Sequence, residues 1–222
     1  MKIRTSSAFT LIEMLTVMAV IAILASLVVS VNAFAHKKAA LARTEGEIKT
    51  MIAACESYKG DFGDYPRDAE GEEAAEKLDP RLDGDPTKGR YQKASLVLYK
   101  ALSGDAEANG KGKEKSYCEF RPDQLQKVGG GTGTATGAGA SAAILCLRDP
   151  FGNSYGYSTA AADAERKYRD ELKKNPSAPR PTGAAAKGFS PTFDLWSTGG
   201  VITTTKDPET LNNDRKRWVK NW

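Results

Sequence analysis

The chain has 222 residues, 40% of them hydrophobic, with 32 Lys and Arg against 28 Asp and Glu, a net charge of +4. That length allows one domain with an appendage, and a charge so small and so dispersed does not point to nucleic acid. A single histidine, His36, excludes histidine triads and multi-histidine metal sites, and three cysteines without C-x-x-C spacing exclude the common zinc and redox motifs.

Lys2 and Arg4 precede an apolar run that carries no charge from Met14 to Ala35. Those 22 residues make a helix of about 33 Å at roughly 1.5 Å per residue, which matches a hydrocarbon core of about 30 Å. Positive residues at the short end predict a single pass with the amino terminus cytoplasmic and everything after His36 outside. A secretory signal competes with this reading: Lys2 and Arg4 would be its basic region, Ala33-Phe34-Ala35 its cleavage site and His36 the mature start. Both readings export the bulk of the chain.

Beyond Lys38 the pattern turns amphipathic. Leu41, Ile48, Met51, Ile52, Cys55 and Tyr58 recur at helical spacing, with Arg43, Glu45, Glu47, Lys49 and Glu56 on other faces. The spacing predicts one continuous helix from about Phe9 to about Lys59, ended by Gly60, Gly63 and Pro66. Residues 67–89 read as an acidic loop with a short helix, and 91–102 as a second helix with Ala94, Leu98 and Leu102 on one side. "SYCEF" (116–120) reads as a strand, 129–142 as a flexible glycine-rich loop, "AILCLRDPFGNSYGY" as strand, turn, strand, and "TFDLWS" as a strand. Residues 160–188 read as a helix plus loop or a partly disordered insertion, and 198–222 as mostly loop ending on two tryptophans. The fold class expected is α+β: a long N-terminal helix, transmembrane in its first half, packed on a small antiparallel β-sheet with long loops.

Little else in the sequence carries chemistry. "GAGASA" (137–142) formally fits a dinucleotide fingerprint but lacks a preceding hydrophobic strand, so it reads as surface loop. Acidic pairs such as Glu72/Glu73 and Asp163/Glu165 read as solvated faces. Three cysteines cannot all pair internally. Cys118 and Cys146 flank the glycine-rich segment and are the couple to expect, with Cys55 a small buried hydrophobe, although spacing does not fix the pairing. No catalytic constellation emerges, so an enzyme on a signal anchor is the disfavoured class.

One residue in the apolar run calls for a reason. Glu13 stands near its start, and a charge at the bilayer centre costs roughly 2.5–3.5 kcal/mol on insertion scales. "AFTLIEMLTVMAVIAILASLVV" (8–29) resembles the N-terminal signal of the type IV pilin superfamily. The resemblance implies a leader, 1–8, cut by a prepilin peptidase between Ala8 and Phe9, with Phe9 then N-methylated and Glu13 fifth in the mature chain. Ala8 stands where the family usually has Gly, and Ser30 where many members have Pro. A carboxylate one turn from the new Phe9 ammonium neutralises it, because opposite charges in an apolar medium attract far more strongly than in water. Between stacked helices that pairing would set the register of assembly.

Three further stretches resemble the major pseudopilins of type II secretion: "SYKGDFGDYPRD" (57–68) at the helix exit, "RDPFGNSYGY" (148–157) at a turn, and "FDLWSTGG" with the final "NW". The resemblance implies a filament subunit, not an enzyme. It would have a membrane and filament-core segment, 9–35, and a periplasmic globular domain, 36–222, in a pseudopilus that drives protein export. A pilin or minor pilin of a surface type IV pilus is the alternative. Implied partners are other copies of the chain, other pseudopilins, the prepilin peptidase, and the inner-membrane platform with its ATPase. The family's C-terminal loop also takes calcium. Val201 stands where an acid is expected, which leaves Asp207, Asn212, Asn213 and Asp214, with carbonyls at 198–200, as oxygen donors and makes weak or absent binding the expectation.

Overall fold

The computed structural model describes residues 10–68, 74–129, 143–182, 186–205 and 207–222, with the side chains of 27–31 and 33 outside the described set. The cleavage positions Ala8 and Phe9 and most of the expected glycine-rich loop, 130–142, therefore lie outside the described residues.

The first helix, α1, runs Leu11–Phe62. It passes through Gly60 and stops where Gly63 turns left-handed at φ 79° and donates its N–H to the Lys59 carbonyl at 2.7 Å. A glycine in that conformation is the usual C-terminal stop of a helix. The chain divides into two units, Met1–Ala40 and Leu41–Trp222. In the first, the helix is apolar on all sides and its large side chains from Leu11 to Leu24 are exposed. Among the described residues no helix is long and apolar enough to cross a membrane. The expected span, 14–35, includes positions whose side chains are not described.

The second unit contains α2 (Ala74–Lys77), α3 (Gly89–Ser103), β1 (Leu125–Lys127), β2 (Ile144–Leu147), β3 (Gly156–Ser158), α4 (Ala160–Lys174), β4 (Asp194–Ser197), α5 (Pro208–Arg215) and β5 (Val219–Lys220), with a 3-10 turn at Pro122–Gln124. The strands form two small antiparallel sheets where one was expected: β1 pairs with β2, and β3-β4-β5 lie in that order. Strands β2 and β3 are the anticipated strand-turn-strand, but they belong to different sheets, with an isolated bridge between Arg148 and Ser154 across the turn.

Ile48, Met51, Ala54 and Cys55 of α1 pack against Leu98, Tyr99 and Leu102 of α3 and against Ile144, Leu147, Tyr155, Tyr157, Phe193 and Leu195 from the strands and their flanks. This is the apolar stripe anticipated for the second half of the helix, and its burial is the main stabilising contribution. A second cluster joins Leu78, Tyr91, Ala94, Trp196, Leu211 and Trp218, with Trp222 against it.

One expectation of an element is corrected. Residues 116–120 form no strand: the Tyr117 and Cys118 N–H groups both donate to the Leu102 carbonyl, at 2.8 and 3.0 Å, and so satisfy the C-terminal end of α3 instead of pairing with a strand. The C-terminal stretch is mostly loop, as expected, but it also holds two short elements, α5 and β5. Helix α5 starts on Asp207, whose carboxylate accepts from the Thr210 N–H at 2.9 Å, with Pro208 in the first turn.

Candidate functional site

Thr10 and Glu13 form a reciprocal cap at the start of α1. The Glu13 carboxylate accepts from the Thr10 N–H and from the Thr10 hydroxyl, both at 2.8 Å, and the Glu13 N–H donates back to the Thr10 hydroxyl oxygen at 3.4 Å. This Thr-x-x-Glu arrangement satisfies two of the amide donors that every helix start leaves open. It also fixes the carboxylate against Thr10, on a helix whose large apolar side chains from Leu11 to Leu24 are exposed. Sequence reasoning selected Glu13 and missed Thr10, although the three-residue spacing is a capping signature.

Further along the helix, in the second unit, a buried carboxylate does different work. Glu47 is 8% exposed and accepts from Arg43 Nε at 2.8 Å, Arg121 Nη2 at 2.5 Å and the Tyr155 hydroxyl at 2.6 Å. Arg43 also pairs with Asp123. Helix α1 is thus tied to the 3-10 turn and to the start of β3. Burial, with Glu47 as hydrogen-bond acceptor, pushes the Tyr155 hydroxyl far above its ordinary range. Sequence reasoning set Glu47 with the other acids off the apolar stripe and so missed this group.

The D-P-F-G turn is built around Asp149. One carboxylate oxygen accepts from the Phe151 and Asn153 N–H groups at 3.0 and 2.8 Å, and the other accepts from the Ser197 hydroxyl at 2.5 Å. Burial raises this carboxyl above its usual range, and those hydrogen bonds oppose the shift. Gly152 is left-handed at φ 90°. Gly156 lies under Trp196, where a Cβ would stand 2.1 Å from the indole ring, so no larger residue fits without moving the tryptophan.

The expected calcium donors are occupied locally. Asp207 caps α5, Asn213 accepts from Lys216 Nζ at 3.0 Å, and Asp214 accepts from the Thr203 hydroxyl at 2.7 Å. Asn212 accepts from Arg215. Among the described residues no group of three or more acidic, histidine or cysteine side chains is placed to hold a metal ion. Each of these side chains would have to leave its present partner to ligate a calcium ion.

The expected Cys118–Cys146 pair is not formed, since all three thiols are free. Cys146 is buried in β2 opposite Gln126, with its Sγ 3.3 Å from Gln126 Oε1. Cys118 lies half-buried against the main core, the cluster that also holds Cys55.

Residues 3–29 match the family described as Prokaryotic N-terminal methylation motif. The chain is also 39% identical over 77 residues to a Pseudomonas aeruginosa protein named Type II secretion system core protein G, an overlap that covers 35% of this chain and 54% of that one. The chain thus spans about half the length of that curated relative. No solved structure matches it. With a methylation motif around Glu13 and this likeness to a secretion-system core protein, the chain resembles the type IV pilin-like pseudopilins.

Proposed function

We propose that this protein is a structural filament subunit of a type II secretion system, cut between Ala8 and Phe9, methylated on the Phe9 amine and assembled through its N-terminal helix. It would be held in the inner membrane by residues 9–35, with the remainder periplasmic, and its partners would be copies of itself, other pseudopilins, the prepilin peptidase and the assembly platform with its ATPase. It performs no catalysis of its own. The observation that carries this reading is the methylation motif at 3–29, with Glu13 capped on a helix that leaves its apolar residues uncovered. An apolar helix of that kind needs lipid or other helices around it. Once the chain is cut, the capped carboxylate stands within one turn of the new ammonium and neutralises it. No resident metal is part of this reading.

The intact mass of protein extracted from membranes tests the processing step. A chain starting at Phe9 and carrying a methylated amine is expected, and a chain starting at His36 would mean an ordinary secretory signal and overturn the proposal. Glu13→Val should leave export and folding intact but reduce incorporation into filaments, read by shearing and sedimentation.

A further inference from the structure

The segment leading into the 3-10 turn runs antiparallel to α1, and its register is set at both ends. At one end the Tyr117 ring lies 5.5 Å from that of Tyr58 and 6.4 Å from that of Phe62, and its hydroxyl donates to Asp61 at 2.5 Å. At the other end Arg121 donates to Glu47 at 2.5 Å. Between Tyr58 and Glu47 the helix rises about 16 Å, and four residues of extended chain from Tyr117 to Arg121 cover about 13 Å. Cys118 is one residue past Tyr117, a quarter of that path, which is the level of Cys55.

On the helix side the contact is a single stripe. Met51, Cys55, Tyr58 and Phe62 follow one another at spacings of four, three and four, so they share one stripe of α1. Cys118 lines a cavity of about 440 Å³ together with Thr50 and Met51, one turn before Cys55, and its neighbour Tyr117 rests on Tyr58 and Phe62, one and two turns after. Cys55 is fully buried in the core cluster against which Cys118 packs. Burial, then Glu56 and Cys118, push the Cys55 thiol up. Cys146 sits in the two-stranded sheet and faces Gln126.

We propose that Cys55 and Cys118 are a disulfide-forming pair, which staples the Tyr117–Arg121 segment to the long helix once the chain meets a thiol–disulfide exchange oxidant. In the cell this rests on the exported placement proposed above, since such bonds persist in oxidising compartments. Cys118, half-exposed, reacts first: its thiolate attacks the oxidant's disulfide, releasing one thiolate and leaving a mixed disulfide. The Cys55 thiolate then displaces the oxidant's second sulfur as thiolate. Two protons leave the protein and the oxidant takes up two electrons. Burial raises both thiols, so the exchange belongs to folding, before the segment seats on the helix.

The test uses the full chain, purified in detergent, unfolded under reducing conditions and refolded in a reduced and oxidised glutathione couple, followed by alkylation and peptide mapping. A Cys55–Cys118 peptide, with Cys146 alkylated, is expected. The link should survive Cys146→Ser and vanish in Cys118→Ser, a variant that leaves the buried Cys55 untouched and so preserves the core. A Cys118–Cys146 link, a glutathione adduct that never resolves, or three alkylated thiols would overturn the proposal. A second arm alkylates the cysteines in intact cells and reads localisation alone: a pair that forms in the refolded protein but stays reduced in cells counts against export, while the pairing itself stands.

Discussion

Glu13 and Glu47 are carboxylates on the same helix with opposite settings, and each shows what a single acid needs around it. Glu13 is exposed, and its carboxylate accepts from Thr10 among the described residues. Glu47 is buried and satisfied by two arginines and a tyrosine. A third setting, at Asp163, gives a titration with a definite sign. Asp163 is buried in the first turn of α4, where Arg166 Nη2 and Lys167 Nζ each lie 2.6 Å from one of its oxygens. Burial acts to raise its carboxyl, but Lys167 and Arg166 outweigh it and hold it below the ordinary range. The unfolded chain therefore binds the proton more readily than the folded one. The stabilisation is present above the ordinary carboxylate range and is lost as pH falls through the lowered value. Asp163→Asn should lower stability by about 1 kcal/mol at neutral pH, a modest figure because both cations are half-exposed or more. The difference from the parent should vanish in acid. Asp149 bends the curve the other way: its carboxyl is raised, so its contribution is present below the ordinary range and lost as pH rises through the raised value. Thermal melts across pH on both chains measure this, and a deficit in Asp163→Asn that persisted in acid would point to lost packing instead.

At the scale of elements, the ties of α1 to the rest of the second unit are unequal. Arg121 is 56% exposed, so water takes over when it is removed, whereas the Tyr155 hydroxyl is buried and has Glu47 as its acceptor. Glu47→Ala strands that hydroxyl and opens space in the core, and should destabilise by about 2–4 kcal/mol. Arg121→Ala should lose under about 1 kcal/mol. Denaturant titrations in detergent compare the two, and equal losses would mean that the ion pair, not the tyrosine, carries the tie. Helix α1 was legible because its pattern is long and periodic: the stripe from Leu41 to Tyr58 needs no partner to be recognised. The Tyr117–Cys118 segment was not. Its residues favour a strand, but the Leu102 carbonyl takes both N–H groups, and nothing local signals so distant an acceptor. Strand β1 was missed for a related reason, because Leu125, Gln126 and Lys127 are defined only by their partners in β2. Helix α5 is different, since Asp207-Pro208 is a start signal that was present and was taken for a set of oxygen donors. At the site, Glu13 was visible as an oddity of charge, while Glu47 hid among the acids of an amphipathic helix.

For the molecule as a whole, the C-terminal region poses the question of what holds a polar stretch in place. The answer lies in aromatic and backbone contacts. Trp196 and Trp218 stack with ring planes 6° apart at 6.1 Å, and Trp222 stacks on Phe189 with planes 10° apart at 4.9 Å. Arg215 lies over Phe189 at 5.0 Å and over Trp218 at 5.7 Å, and it donates to the Pro80 and Arg81 carbonyls, both at 3.0 Å. Asn221 closes the end like an added strand residue: its side chain accepts from the Leu195 N–H at 2.9 Å and donates to the Phe193 carbonyl at 3.0 Å. Thr203 donates its N–H to the Gly84 carbonyl at 3.1 Å and its hydroxyl to Asp214 at 2.7 Å. Calcium takes six to eight oxygens, and at this loop they would have to be withdrawn from these contacts. A ligand bound only by the folded state raises stability by about 2.7 kcal/mol at a hundredfold excess over its Kd. Millimolar calcium against chelator should therefore leave the melting temperature of the detergent-extracted chain unchanged, whereas Arg215→Ala should lower it in both. A rise of several degrees with calcium, abolished by Asp214→Ala, would show that the loop rearranges around a metal and that the aromatic stack is not its principal support.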